Sequence, residues 1–195
     1  MLMPFELDAV WHNAVSMSGM VNLFARIGDP NLDPNWQRQI KSGAAMLGKS
    51  LMALERADAF LIDVMGLETL LTVRNERNGT KLAQRIQGMV GWHLKVNRPG
   101  YADEIKRIHS VRCEIVHDSD FTNLTTELLL QADMYLLNSL LNIVNLPALF
   151  PTKDAMIAVA DGYAANENWP TDGSVPFRWL GNSTFTAAEL DLPLW

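Results

Sequence analysis

The stretch LMALERADAFLIDVMGLETLL, residues 51–71, decides the fold class, because it is too apolar to lie on a protein surface. Its apolar side chains recur at helical spacing, which indicates a helix that runs through a core. A second stretch, TTELLLQADMYLLNSLLNIV at residues 125–144, has the same Leu-rich character. No part of the chain shows a defensible strand pattern. The sequence therefore predicts an all-α fold, a helical bundle.

Helical periodicity covers most of the chain, and turn residues divide it. The pattern predicts helices over residues 5–27, 33–72 (with a break near Gly48), 80–95, 101–116, 122–146 and 152–165. Asp33 and Pro34 have the residue types expected at an N-cap and at the first helical position. Asn78-Gly79 is the clearest internal turn, and residues 117–120 are predicted to form the turn after the shorter helix.

A length of 195 residues with 48% hydrophobic residues suits one compact domain. Residues 1–165 are expected to form that domain. Residues 166–195 carry three of the six Trp and three of the nine Pro but few periodic positions. This segment is predicted to be an irregular tail that packs on its own domain or on a partner.

Composition excludes several classes of protein. No run of about 18 apolar residues is present, which argues against a membrane span. The chain begins MLMPFELDAVWHN, without a basic region of the secretory type, and its single Cys has no disulfide partner within the chain. A cytoplasmic location is therefore expected. The sequence lacks a GxxxxGK[ST] phosphate loop, a GxSxG elbow and an HExxH metal motif.

Basic residues concentrate in one part of an acidic chain. The net charge of the whole chain is −6, yet residues 74–112 hold nine basic and three acidic side chains, a local net charge of +6. A locally positive face can attract a polyanion even on an acidic protein. The alternative is that these charges are spread over two solvated helices.

The string IHSVRCEIVHDSD, residues 108–120, contains the most informative motif. Arg112 and His117 are five residues apart, about 140° around an ideal α-helix, so one continuous helix would not place them on one face. If they act together, His117 lies at or past the helix end, or each residue meets its mate across a dimer. His109, three residues before Arg112, does share its face.

Four ordered segments resemble the HEPN superfamily, and specifically its ApeA-like branch. They are FLIDVMGLETLL with Glu68, KLAQRIQGMVG with Arg85, the R-x4-6-H helix with Arg112 and His117, and the Leu-rich helix after it. The resemblance covers roughly residues 50–147. It implies a helical bundle that dimerises with the two motifs facing each other. Many members are metal-independent endoribonucleases of toxin–antitoxin or antiviral defence systems, and others are non-catalytic RNA- or protein-binding modules.

The resemblance implies a catalytic pair, Arg112 and His117, contributed by both subunits, with RNA as substrate and with no cofactor or metal. A His can transfer the proton, and an Arg can hold the phosphate oxygens as charge builds up. The expected partners are a second copy of the chain and an antitoxin or defence-system protein, with no membrane. The remaining site residues are Glu68, His109, Cys113 and Glu114 as supporting residues, and Arg85, Lys106 and Arg107 as RNA-binding residues.

Each assignment has a structural alternative. The residue after the motif Arg is usually Asn, Asp or His in active members of the family, and here it is Cys113, which can equally be a small core residue. Arg112 can form a structural ion pair with Glu68 or Glu114, and His117 can cap a helix C-terminus. Glu68, in a very apolar helix, needs a cationic partner such as Arg85 or Arg112. No residue spacing fits a standard zinc motif.

Overall fold

The computed structural model describes residues 20–73, 76, 78–97 and 101–165, and within these ranges the chain is helical with no strand. The helices are α1 (Met20–Gly28), α2 (Pro34–Ser50), α3 (Arg56–Leu71), α4 (Asn78–Asn97), α5 (Tyr101–Cys113), the π-helical turn Glu114–Asp118, α6 (Thr126–Asn145) and α7 (Lys153–Ala165). The predicted all-α fold is confirmed. The predicted tail, residues 166–195, and the first half of the predicted helix 5–27 lie outside the described residues.

Local capping sets several of the helix ends. Asp33 accepts a hydrogen bond from the backbone N–H of Trp36 at 2.8 Å, and Pro34 occupies the first helical position, as the sequence predicted. Thr125 caps α6 in the same way, with its hydroxyl accepting from Leu128 N–H at 3.1 Å. The Thr125 cap explains why α6 begins four residues later than its apolar pattern suggested.

Other sequence-based boundaries also differ from the structure. The predicted helix 33–72 is divided after Ser50 rather than near Gly48, and α3 starts at Arg56. Asn78-Gly79 begins α4 instead of forming a turn before it. Both differences arise because a polar or glycine residue is tolerated in a helix when the neighbouring packing holds that helix in place.

Helices α3 and α6 form the centre of the core. Phe60 and Leu67 of α3 and Leu136 of α6 are fully buried, so the prediction of a helix that runs through the interior is confirmed for Arg56–Leu71. For residues 51–55 the prediction was wrong, because these residues form the turn between α2 and α3, where Leu51, Met52 and Leu54 are exposed. Gly66 allows the two helices to approach closely, since a Cβ there would lie 2.7 Å from a methyl carbon of Leu136. The α3–α6 contact places the C-terminal half of α3, with Glu68, beside the end of α5.

Arg85, which the sequence analysis assigned to RNA binding, lies in the interior, where it joins α4 to α7. Its guanidinium donates to Glu76 at 2.6 and 2.8 Å, to Asp161 at 3.0 and 3.1 Å and to the Leu71 carbonyl at 2.9 Å. All five N–H donors of the side chain therefore have protein acceptors, and Arg85 is 1% exposed. Arg85 is therefore a core residue, and its charge does not contribute to the predicted positive face.

Candidate functional site

Arg112 lies at the end of α5, where that helix packs on α3. Its Nη2 atom is 3.8 Å from Glu68 Oε2, and the two side chains are 27% and 17% exposed. This distance is an ion pair but too long for a hydrogen bond. Of the two cationic partners that the sequence offered for Glu68, the fold selects Arg112. The guanidinium is thus held toward α3 while part of it stays open to solvent.

The helix widens directly after Arg112. Residues Glu114–Asp118 form a π-helical turn, in which the Ser119 N–H reaches the Glu114 carbonyl five residues earlier. Arg112 precedes this turn and His117 lies within it, so the wider turn makes their angular separation smaller than the value of about 140° in a continuous α-helix. Ser119 ends the turn in the left-handed region, with φ of 53°. The sequence analysis predicted that residues 117–120 form the turn after the helix, whereas the helix continues in its widened form to Asp118 and includes His117.

His117 is exposed, and none of the described residues makes a hydrogen bond to its ring. Two apolar neighbours, Val116 and Phe121, are 49% and 53% exposed. The structure therefore presents a solvent-accessible imidazole that two exposed apolar side chains accompany along the chain. The predicted alternative, a His that only caps its helix, also fits this position, because His117 lies in the last turn, where a cation is favourable.

Glu114 makes a hydrogen bond to the loop that follows the π-helical turn. Its Oε2 atom accepts a hydrogen bond from Asn123 Nδ2 at 2.9 Å. Arg107, one of the predicted RNA-binding residues, approaches the Asn123 carbonyl at 3.4 Å and is exposed. Glu114 and Arg107 together hold Asn123, and through it they position the chain that follows His117.

His109 lies one turn before Arg112 and is half-buried. The Cys113 sulfur is 3.8 and 4.0 Å from its two ring nitrogens, and the ring occupies the space that a Cβ on Gly79 of α4 would need. Burial, with a contribution from the charge of Arg112, lowers the pKa of His109, although Glu68 opposes this shift. The neutral imidazole is consequently favoured at physiological pH.

A groove of about 560 Å³ runs between α4 and α5. Its lining includes Lys106 and His109 from α5 and Thr80, Gln84 and Gln87 from α4. Lys106 is 66% exposed and forms an ion pair with Asp103, 3.2 Å away, which is itself 85% exposed. Such a surface pair is weak, so the Lys106 ammonium is available to a ligand. His109 belongs both to this groove and to the surroundings of Arg112.

Sequence reasoning missed a pair of neighbouring acids, of which Asp63 is fully buried and Asp133 is half-buried. Asp63 on α3 is fully buried, and no donor from the described residues reaches either of its carboxylate oxygens. Desolvation, together with the neighbouring Asp133, raises the pKa of Asp63 to about 9. Ser50 approaches Asp133 at 3.4 Å. The signal was present in the sequence, because Asp63 interrupts an apolar run in the middle of a core helix.

No cluster of three or more potential metal ligands occurs within the described ranges. No described helix is long and apolar enough to cross a membrane. Comparisons with protein-family models, with curated proteins and with solved structures find no significant match. The interpretation of this site therefore rests on its own geometry and on the sequence motif.

Proposed function

We propose that this protein is a metal-independent endoribonuclease of the HEPN type, with a toxin or antiviral defence role. The observation that carries the proposal is the π-helical turn between the Arg112 and His117 positions of the R-x4-6-H motif. The turn reduces the angular separation that an α-helix would impose on two residues five apart. It leaves His117 exposed and the Arg112 guanidinium partly exposed.

The two side chains supply the functions that RNA cleavage needs. The 2′-oxygen attacks the adjacent phosphorus, and the bond from phosphorus to the 5′-oxygen breaks, giving a 2′,3′-cyclic phosphate and a 5′-hydroxyl. One imidazole accepts the 2′-hydroxyl proton, and a protonated imidazole donates to the leaving 5′-oxygen. The Arg112 guanidinium binds phosphate oxygens through paired N–H donors as negative charge accumulates.

A second copy of the chain would provide the second imidazole. The single copy carries one exposed His in the motif, whereas proton removal and proton donation occur on opposite sides of the phosphorus. The half-exposed Val116 and Phe121 beside His117 offer apolar surface that a two-fold contact can bury. A dimer formed there would bring two His117 side chains and two Arg112 side chains to one site.

Glu68 has a positioning role in this proposal. Its carboxylate lies 3.8 Å from Arg112 and restrains the guanidinium, while its charge also competes with RNA phosphate for the same cation. Cys113 stands where active members of the family usually have Asn, Asp or His. In this chain the Cys113 sulfur contacts His109.

The experiment is cleavage of end-labelled single-stranded RNA in excess EDTA by the wild-type chain and by Arg112→Ala and His117→Ala. We expect 2′,3′-cyclic phosphate ends from the wild type and a loss of at least about 100-fold in each variant. Arg38→Ala, an exposed substitution on α2, is the matched control and should cleave normally. Cleavage that survives both motif substitutions would show a contaminating nuclease and contradict the proposal.

The ion pair with Glu68 favours a second candidate, a non-catalytic HEPN-like module that binds RNA or protein. In that case Arg112 serves as a structural or binding residue, and the chain folds and dimerises without cleaving RNA. The same assay separates the two functions when it is combined with RNA binding by fluorescence anisotropy. If the wild type binds RNA without cleaving it and Arg112→Ala abolishes that binding, the protein is a non-catalytic RNA-binding module.

A further inference from the structure

The groove between α4 and α5 is a binding site that the motif residues do not explain. Its volume of about 560 Å³ lies within the range of about 300–1,000 Å³ typical of small-ligand pockets. The groove is partly open to solvent, and His109 in its lining is close enough to Arg112 and Glu68 for their charges to shift its pKa. A ligand in the groove would therefore lie beside the proposed phosphate-binding residue.

The chemistry of the lining restricts the kind of ligand. Thr80, Gln84 and Ser110 supply hydroxyl and amide groups that both donate and accept hydrogen bonds. Lys106 supplies a single positive charge, and the described lining residues include no carboxylate. This set suits a molecule with one negative charge and a neutral edge of alternating donors and acceptors. A nucleotide has both features.

His109 gives the groove a surface for a base or a ribose. Its half-buried ring lies between Cys113, which it contacts, and Gly79, whose missing side chain leaves room for it. Imidazole rings of this kind stack on unpaired bases or hydrogen-bond to ribose. Because His109 and Arg112 are three residues apart on one helix, a nucleotide against His109 can extend its phosphate toward Arg112.

We infer that the α4–α5 groove binds one unpaired ribonucleotide, with Gln84 contacting the base edge and Lys106 contacting a phosphate. The inference rests on the proposed ribonuclease function and assigns its substrate as single-stranded RNA with a preferred base next to the cut. Gln84 discriminates among bases, because its amide can form matched hydrogen bonds with the edge of one base, whereas other bases leave donors or acceptors unpaired. Lys106 contributes equally to the affinity for every nucleotide, because all four carry the same phosphate group.

The test is equilibrium binding of the four ribonucleoside 3′-monophosphates and of inorganic phosphate to the full-length chain by isothermal titration calorimetry. We expect one nucleotide to bind most tightly, with a Kd of roughly 1 mM or below, and inorganic phosphate to bind at least about tenfold more weakly. Gln84→Ala should weaken the preferred nucleotide about 3- to 10-fold and reduce the discrimination among the four. Lys106→Ala should weaken all four by a similar factor.

Lys41→Ala, an exposed lysine substitution on α2, is the matched control and should leave every affinity unchanged. Absence of nucleotide binding, phosphate binding as tight as nucleotide binding, or equal affinities in wild type, Gln84→Ala and Lys106→Ala would each overturn the inference. The outcome is separable from that of the cleavage assay. If nucleotides bind in a way that depends on Gln84 but RNA is not cleaved, the groove is a binding site and the proposed ribonuclease function is wrong. If RNA is cleaved but no nucleotide binds, the ribonuclease function stands and the inference about the groove is wrong.

Discussion

Arg112 Nη2 lies 3.8 Å from Glu68 Oε2, so the cation of the motif rests against a carboxylate from the central helix of the core. The pair joins the end of α5 to α3 and leaves 27% of the Arg112 side chain exposed. A carboxylate at this distance orients the guanidinium and weakens its attraction for phosphate. The balance between these two effects can be measured.

Glu68→Gln is expected to tighten RNA binding and to slow cleavage. The neutral amide keeps the shape of the side chain but no longer competes with phosphate, so RNA affinity should rise about 3-fold and its salt dependence should steepen. The cleavage rate should fall because Arg112 loses its restraint. Fluorescence anisotropy at several salt concentrations and single-turnover cleavage measure the two effects. Glu55→Gln, at the exposed start of α3, is the control, and a similar gain of affinity there would contradict this explanation.

Asp63→Asn is expected to stabilise the protein at neutral and alkaline pH. The pKa of Asp63 is raised to about 9 by burial and by Asp133, so the folded state holds a proton that the unfolded state releases above about pH 4. Stability of the wild type should therefore fall as pH rises from about 4 to about 9, with a slope that Asp63→Asn removes.

Thermal unfolding at pH 4.5 and pH 8.5 tests this pH dependence. The melting temperature of Asp63→Asn should exceed that of the wild type by several degrees at pH 8.5 and by little or nothing at pH 4.5. Asp58→Asn, an exposed substitution in the first turn of α3, is the control. Equal melting temperatures of wild type and Asp63→Asn at pH 8.5 would show that the buried carboxyl is not protonated in the folded state.

Arg85→Met is expected to destabilise the fold by about 3–5 kcal/mol, because it leaves Glu76 and Asp161 without the guanidinium that pairs them. The hydrogen bonds from Arg85 lower the pKa of Glu76 to about 2. The stabilisation is therefore present above about pH 4.5 and is lost as pH falls toward 2. Urea unfolding at pH 7 and at pH 2.5 measures the difference, which should shrink at the lower pH. An unchanged unfolding midpoint at pH 7 would contradict the structural role of Arg85.

Gly79→Ala is expected to disturb the groove while the helical fold persists. A Cβ at this position would lie 2.5 Å from His109 Nδ1, so the imidazole must move. Nucleotide binding should weaken at least about 5-fold, and far-ultraviolet circular dichroism should stay helical. Gly162→Ala is the matched control, because nothing lies within 4 Å of its new Cβ and Ala favours a helix by up to about 1 kcal/mol.

Val116→Asp is expected to prevent formation of the proposed dimer. The side chain is 49% exposed next to His117, so a carboxylate there is tolerated by the folded monomer and is costly only when a second copy covers it. Analytical ultracentrifugation should show a monomer, and cleavage should be lost with it. Met52→Asp changes an apolar side chain that is 84% exposed elsewhere and should leave the association state unaltered. If the wild-type chain sediments as a monomer at the concentration of the cleavage assay, the proposal of a site shared by two subunits is wrong.

The helical periodicity of the sequence was sufficient to predict the fold class and most of the helices. The N-cap at Asp33 and the core position of Phe60 and Leu67 follow from local residue order, since each depends on neighbours within one or two turns. Helix boundaries were predicted less well. The π-helical turn at Glu114–Asp118 has no periodic signature, because one widened turn changes the pattern by a single residue.

The sequence by itself determined that the described part of the chain is helical, that the apolar run over residues 56–71 supplies core side chains and that one short segment carries both an Arg and a His. Only the tertiary structure decided how the charges pair. Arg85 binds acids 9 and 76 residues away, and Arg112 takes Glu68, because the packing of α4 and α5 on their neighbours brings these groups together. Residue types and spacing report on a single helix, whereas burial and charge pairing depend on which helices meet, and this is a property of the whole fold.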